Sequence, residues 1–575
     1  MAKFCKGVEF LKLPRTKWKI INTDTSRPII EVILENRKLP PSHLESFRLS
    51  ERMHDPYLLP DMEKGVKRIL QAIERREKIV VFGDYDVDGI TSTALMLYFF
   101  RQIGYPVDYI LPHRQKDGYG LRSTTIDQIK ALGATLIITV DNGITSYQAI
   151  EYAALQGIDV IITDHHLPEG DLPPAVAVIN PNRKDSDYPF KSICGAVVAY
   201  KLVWALGAKL LPEADYKQFL LDQLDLITIG TIADVMPLRD ENYALVKFGL
   251  KVLTRTKKPG LIELKKVAGL NGKPITPISV GYFLAPRLNA SGRIEEADTS
   301  VKLLISESKE RAQYLASYLD KLNHKRQLLQ QNYLDEALSY LPKDRGDLEK
   351  VIIVENDHWH AGLIGLISGK LKERYWRPVI AFTKDEDGNL VGSARSIDTF
   401  HITNALTKFN KYFLNYGGHQ KAAGLTISED KFPEFRERFV EYANQILSEQ
   451  DLIPQITIDS LVDIDQVHLN MAQAIAELGP FGEGNPEPLF AFKNVTIREM
   501  YPLSNGKHLK LIIQKGNQMY ESIWWNSGEF KDDLKFGQQV DIAFRMGINN
   551  WRGSTKVQLV INDVSPSNHD LEHNI

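Results

Sequence analysis

From Met62 to Glu77 apolar residues recur at helical spacing (Val66, Ile69, Leu70, Ile73). The β-branched run Lys78–Phe82 follows and ends at Gly83, which predicts a buried strand. The alternation then repeats. Helices are predicted over Thr91–Gln102, Ser123–Leu132 and Ser146–Gln156, and strands over Val107–Leu111, Thr135–Val140 and Asp159–Thr163. Strands and helices at this rhythm form βαβ units, hence a parallel sheet with helices on both faces. Phe219–Leu253 reads as helical. Ser306–Leu341 is a long charged helical stretch, read here as a rigid connector, with a solvated face as the alternative. A second α/β unit begins with a strand at Lys350–Val354, has another at Pro378–Phe382, and runs to about Glu449. After Pro454 the texture changes to short alternating strands such as Leu509–Ile513, Gln539–Phe544 and Lys556–Ile561, which suggests an OB-type barrel.

The expected organisation is an N-terminal region (1–75), a parallel-sheet α/β domain (76–240) and a helical region with the connector (241–349). A smaller α/β domain (350–450), an all-β barrel (455–564) and a polar tail (565–575) follow. A length of 575 residues accommodates this, and a composition 43% hydrophobic and 25% charged excludes a disordered or collagen-like chain. The two cysteines, Cys5 and Cys194, are too few for a disulfide framework or a four-thiolate zinc site, and point to a reducing cytoplasm. The start, Met1 to Lys6, does not read as a signal peptide, and no apolar run approaches the ~20 residues of a membrane span.

Chemistry-bearing residues gather where the predicted parallel strands end. Asp84, Asp86 and Asp88 follow the first strand, Asp141 follows the one ending at Val140, and Asp164, His165 and His166 follow the one ending at Thr163. Carboxyl ends of parallel strands lie along one edge, so these turns are expected to converge. Converging carboxylates repel unless cations neutralise them, and carboxylates with imidazoles suit Mn²⁺-like ions in two-metal sites that process phosphate esters. Asp84-Tyr-Asp86-Val-Asp88-Gly89 also matches the first half of an EF-hand loop. Leu95 at the twelfth position and a preceding strand exclude that reading.

Gly83-Asp-Tyr-Asp-Val-Asp-Gly89, Val140-Asp-Asn-Gly-Ile144, Thr163-Asp-His-His166 and Gly230-Thr-Ile-Ala-Asp-Val-Met-Pro-Leu238 resemble the four ordered motifs of the DHH phosphoesterase superfamily. Gly392-Ser-Ala-Arg-Ser396 and Gly417-Gly-His-Gln-Lys-Ala-Ala-Gly424 resemble its DHHA1 substrate domain. Pro286-Arg-Leu-Asn-Ala-Ser-Gly-Arg293 and Pro480-Phe-Gly-Glu-Gly-Asn-Pro-Glu-Pro488 complete a layout similar to the superfamily's single-strand-specific exonucleases, from about Asp55 to Asp563. The resemblance implies a DHH domain joined by a helical connector to a smaller α/β DHHA1 domain, then an OB-fold. It implies two divalent cations, Mn²⁺ or Mg²⁺, held by Asp84, Asp86, Asp88, Asp141, His165 and Asp234, with Asp141 bridging. His166 matches the histidine that contacts the scissile phosphate, and Asp164 is expected to orient an imidazole. Many relatives outside the exonuclease branch carry a histidine where this chain has Phe82.

For the substrate, the resemblance points to Arg287, Asn289, Arg293, Arg395, Ser396, Gly418, His419 and Lys421, with helix-capping or salt-bridge roles as alternatives for the first three. Lys507, His508, Lys510, Trp524, Trp525, Trp551 and Arg552 interleave bases with aromatics, as strand-binding barrels do. Adjacent strand residues face opposite sides, so one of Trp524 and Trp525 should point into the barrel and the other out. His358-Trp-His360 reads as loop structure, not a ligand set. The expected activity is 5′→3′ hydrolysis of single-stranded DNA to 5′-mononucleotides in repair and recombination. The alternatives are a phosphoesterase for short oligonucleotides or cyclic dinucleotides, and a non-catalytic scaffold. Single-strand-binding protein, a helicase and a monomeric state complete the expectations. The net charge of -3 averages 70 basic and 73 acidic residues, so it leaves room for a basic channel.

Overall fold

Strands Ile79–Phe82 and Leu136–Val140 are buried at every position, the pattern of a sheet covered on both faces. They belong to a five-stranded sheet ordered Asp108–Ile110, Ile79–Phe82, Leu136–Val140, Asp159–Thr163, Ala177–Ile179, with every pairing parallel. Side-chain alternation divides the strands between two cores. Ile79, Val81, Leu136 and Ile138 pack with helices Val87–Gln102 and Gly195–Leu210. Val80, Phe82 and Ile137 pack with helices Ser123–Ala131 and Tyr147–Leu155. This is the computed structural model of the chain, and it describes residues 16–40, 45–112, 120–168, 170–342, 345–551 and 553–567. Met1–Lys6 with Cys5, Arg552, the Trp551 side chain and the tail beyond residue 567 lie outside them.

Three features differ from the pattern reading. The helix after the first strand begins at Val87 instead of Thr91, because Asp86 caps it. Strand Ala177–Ile179 and helix Gly195–Leu210 carried no expectation; the helix is buried almost all round and shows little amphipathic contrast. The helical stretch Phe219–Leu253 is the end of one helix and two more, Leu224–Ala233 and Asp240–Thr254, interrupted around Asp234 to Arg239.

Helix Lys309–Ser339 is the connector. Its first half places Ala312, Leu315, Ala316, Leu319 and Leu322 in the core of the parallel-sheet domain. Its second half places Tyr333 and Ala337 in another core, with helix Ala361–Tyr375. That core backs a sheet ordered Phe413–Gly418, Ala422–Ile427, Leu390–Arg395, Val379–Lys384, Ile352–Glu355. Only its last pair is parallel.

The chain forms two compact units. One comprises Phe47–Ile446 with Gly482–Gly484, and the other the residues up to Ser46, Leu447–Phe481 and everything from Asn485. In the second unit, strands Phe490–Leu503, His508–Lys515, Gln518–Trp524, Ser554–Pro566 and Gln539–Trp551 pair in that order, and the last pairs back on the first to close a barrel. These strands reach fourteen residues, where the pattern predicted short ones. Register shifts at Ile497/Glu499 and Ala543/Phe544 interrupt the alternation and divide each long strand into shorter-looking pieces. The region taken as 1–75 is also divided. Lys17–Asn22 pairs in parallel with Gln455–Leu461, which joins the barrel strand Phe490–Leu503, whereas residues from Phe47 belong to the other unit.

Candidate metal centre and substrate face

Three strand ends and one helix end build the centre. Asp84 and Asp86 follow strand Ile79–Phe82, and Asp86 Oδ1 accepts from the amides of Asp88 (2.9 Å) and Gly89 (3.1 Å). Asp141 follows the neighbouring strand with φ +64°, a left-handed conformation that costs about 1–3 kcal/mol and is typical of functional positions. Asn142 Nδ2 donates to the carbonyls of Val140 (2.9 Å) and Phe82 (3.4 Å), tying the two strand ends together. Asp234 is the residue at which helix Leu224–Ala233 stops.

His165 Nε2 lies 3.2 Å from Asp141 Oδ1, 3.6 Å from Asp234 Oδ2 and 3.8 Å from Asp88 Oδ2. Neither His165 Nε2 nor Asp234 Oδ2 has a hydrogen-bond partner, although both are buried. Ligand atoms of Asp84, Asp86 and Asp141 lie within 4.8 Å of one another, as do those of Asp88, His165 and Asp234, and those of Asp141, His165 and His166. Burial and then the neighbouring carboxylates, Asp88 first, push Asp141 well above the usual carboxylate range and raise Asp86. The same causes take Asp234 up to about 9. Burial lowers His165, leaving its imidazole neutral and able to ligate. Such a donor set is stable in its ionised form only around cations, and its oxygens and imidazole suit Mn²⁺ or Mg²⁺. Phe82, fully buried, offers no ligand, and Asp84 stands in the group nearest that position.

One participant was missing from the sequence reading. Asp88 Oδ2 accepts from the Gly195 amide (2.6 Å) and its Oδ1 from the Ala196 amide (2.9 Å), so the first turn of helix Gly195–Leu210 fixes this carboxylate. A Cβ at Gly195 would stand 2.5 Å from Asp141 Cβ and 2.7 Å from its Oδ1. Only glycine allows that approach. The sole signal in the sequence is the small pair Gly195-Ala196 opening an apolar run.

Asp164 is fully buried. Its Oδ1 accepts from the His165 amide (2.7 Å), the His166 amide (3.0 Å) and His166 Nδ1 (2.8 Å), and its Oδ2 from the Ile144 amide (2.9 Å). It therefore holds the His166 ring in place. Burial alone would raise it, but the hydrogen bond and charge of His166 hold it below the usual value. Burial works against the His166 cation, yet its bond to Asp164 takes it up to about 9.

The substrate residues divide. Arg293 Nη1 donates to the Gly362 carbonyl (3.1 Å), and a Cβ on Gly365 would meet Arg395 Nη2 at 3.1 Å, so both arginines reach the first turns of helix Ala361–Tyr375. Asn289 is half-buried on the same helix as Arg293. Gly418, His419 and Lys421 are exposed at a hairpin tip, where the His419 amide donates to the Ala422 carbonyl (2.8 Å) and Lys421 pairs with Asp398. Two of these residues have partners within the protein. Arg287 is committed to Asp320 (2.9 Å) and the Phe283 carbonyl (2.7 Å), so it joins helices within the protein. Ser396 is buried, with its hydroxyl donating to the Phe400 carbonyl (2.6 Å). Ser393 shares the half-buried face of Arg395, because residues two apart on a strand point the same way. His360 caps helix Ala361–Tyr375, and Trp359 stacks on Tyr333 at 5.9 Å, so that stretch is structural.

On the barrel, Trp524 is buried and stacked on Phe530 at 5.2 Å. Trp525 is 52% exposed and meets His508 edge-on at 4.8 Å.

The model of the DHH family N-terminal domain matches residues 78–231, that of the DHHA1 domain 348–448, and that of the RecJ OB domain 458–563. Parallel sheet, strand-end carboxylates and matching domains together define a metal-dependent DHH-class phosphoesterase. Curated relatives narrow the class. The single-stranded-DNA-specific exonuclease RecJ of Escherichia coli is 36% identical over 88% of this chain and 91% of its own. That of Bacillus subtilis is 37% identical over 90% of this chain, which spans 65% of that relative's length. RecJ of Thermus thermophilus, solved with Mn²⁺, superposes with a TM-score of 0.77 at 28% identity over 96% of this chain and 79% of its own. Its Mg²⁺ complex gives 0.73 at 27% identity over 96% and 78%. The chain belongs to the RecJ family.

Proposed function

We propose that the chain is a metal-dependent exonuclease that degrades single-stranded DNA in the 5′→3′ direction to 5′-mononucleotides, in repair and recombination. The observation that carries this reading is the buried His165 Nε2, with no hydrogen bond and faced by carboxylates of Asp88, Asp141 and Asp234. Two cations bound there would supply an activated water and charge stabilisation for in-line attack on a phosphodiester. Asp84, Asp86 and Asp141 would hold one, Asp88, His165 and Asp234 the other, with Asp141 between them.

The chain's own groups do the rest. His166, held as a cation by Asp164, offers its Nε2–H to the scissile phosphate and stabilises the charge that develops. Arg293 and Arg395, beside the opening turns of helix Ala361–Tyr375, form a cationic seat for a terminal phosphate, which fits entry by a 5′ end. His419 and Lys421 would close over the strand, and on the barrel Trp525 with Lys507 and His508 would offer a stacking and cationic surface for single strands. A cytoplasmic monomer, supplied with strands by single-strand-binding protein or a helicase, completes the reading. Among the described residues no helix is long and apolar enough to cross a membrane.

The test is digestion of single strands labelled at either end with Mn²⁺, Mg²⁺ or chelator. Early release of the 5′ label, dependent on metal, is expected. Release of the 3′ label first, or activity in chelator, refutes it. A dinucleotide cleaved in preference to a long strand would favour a short-oligonucleotide phosphoesterase.

A further inference from the structure

Between its two cores the connector helix Lys309–Ser339 has a polar span. Leu322 is its last residue in the first core, and Leu329 and Tyr333 are the first to pack into the second. Arg326 lies between them, about one turn from either. Its Nη2 donates to Asn323 Oδ1 (2.6 Å) and its Nη1 to Gln330 Oε1 (2.9 Å). Both acceptors are neutral amides, and among the described residues no carboxylate lies within ion-pair reach of it. The charged group that acts on it is another cation, Arg287, which is itself matched by Asp320. Burial and then Arg287 lower its affinity for the proton, the reverse of the rise seen where an arginine such as Arg183 meets carboxylates.

Arg326 is half-buried, and a guanidinium in that position that meets only neutral amides keeps its charge unmatched within the protein. Here two amides, one turn before and one turn after, orient the group in place. Two anchored nitrogens leave the remaining N–H groups of the planar fork for a bidentate oxygen ligand. The setting selects the ligand. Helix Ala285–Ile294, which ends in the Arg293 region, packs on the connector, and the Arg293 carbonyl approaches Gly362 so closely that a Cβ there would lie 2.4 Å from it. The polar span therefore lies where the metal-bearing domain gives way to the one that carries Arg395.

We propose that Arg326 is a contact for an internal backbone phosphate of the single strand, one that neither the metal centre nor the seat at Arg293 and Arg395 supplies. The proposal rests on the nuclease reading above, and the experiment separates the two.

The full-length protein with Mn²⁺ is assayed on a long single strand across a salt series. A wild-type protein that leaves the strand intact refutes the nuclease reading itself. With wild type active, Arg326→Gln should raise KM about tenfold, the effect of losing one charge-assisted contact. It should also reduce the slope of log KM against log salt by about 0.7, the share of one single-strand phosphate. Arg326→Lys should keep the slope and show a smaller rise in KM, since it retains the charge and loses the fork. An unchanged slope in Arg326→Gln overturns the proposal. Should that variant fail to fold, Arg326→Lys decides alone: a raised KM supports the contact and wild-type kinetics exclude it.

Discussion

His166 Nδ1 sits 2.8 Å from Asp164 Oδ1, and that carboxylate oxygen also receives the amides of residues 165 and 166. One buried aspartate thus shapes the turn that presents both histidines. It also fixes the orientation of the His166 ring through Nδ1. Asp164→Asn removes the charge that sustains the His166 cation while keeping its size. The expected outcome is a fall in kcat of about 10²–10⁴-fold on single strands, the range for loss of a positioned proton donor. Mn²⁺ binding, read by calorimetry, should change far less than kcat.

Gly195→Ala should disturb the centre while leaving every residue proposed to bind metal in the sequence. Its methyl group would strike Asp141, and the helix turn that fixes Asp88 must shift. Metal affinity is expected to drop by about 10–100-fold, as when groups behind a ligand are lost. A Mn²⁺ titration checks this, with circular dichroism to confirm the fold.

Cations should stabilise the fold as well as support activity. Burial and mutual repulsion leave Asp86, Asp141 and Asp234 reluctant to ionise together. Mn²⁺ at a hundred times its Kd should add about 2.7 kcal/mol by mass action. Calorimetric scans should show a midpoint that rises with Mn²⁺ and returns with chelator. Asp141→Ala should abolish both that response and hydrolysis, with strand binding still measurable.

The two neighbouring tryptophans should behave oppositely. Trp524→Ala empties a buried site stacked on Phe530 and should cost about 3–5 kcal/mol of stability. Trp525→Ala should leave the unfolding midpoint in place and weaken binding of long strands by about 1–3 kcal/mol, the worth of one stacked base. Equal effects on stability would show that Trp525 belongs to the core.

What was legible in the sequence follows from range. Asp84, Asp86, Asp141 and the Asp164–His166 turn each follow a strand within a few residues, and a parallel sheet brings such turns together by construction. The pleat likewise settled that Trp524 and Trp525 part company. Gly195 was not legible, because its role is an approach to Asp88 and Asp141 across distant sequence. Ser396 was chosen where Ser393 shares the face of Arg395, because a motif gives residues without their side of the strand. For Arg287 the sequence left a salt bridge and a strand contact both open, because its partner Asp320 lies two helices further along the chain.

Strand Lys17–Asn22 is made early, yet its partner Gln455–Leu461 emerges from the ribosome only after the whole metal-bearing body. The barrel unit is thus discontinuous along the chain, interrupted by a body with its own cores. During synthesis the first strand must wait with an unpaired edge while that body folds, a period in which such edges invite wrong partners. A protein cut short before residue 455 would keep every carboxylate of the centre and still carry a strand with nothing to join.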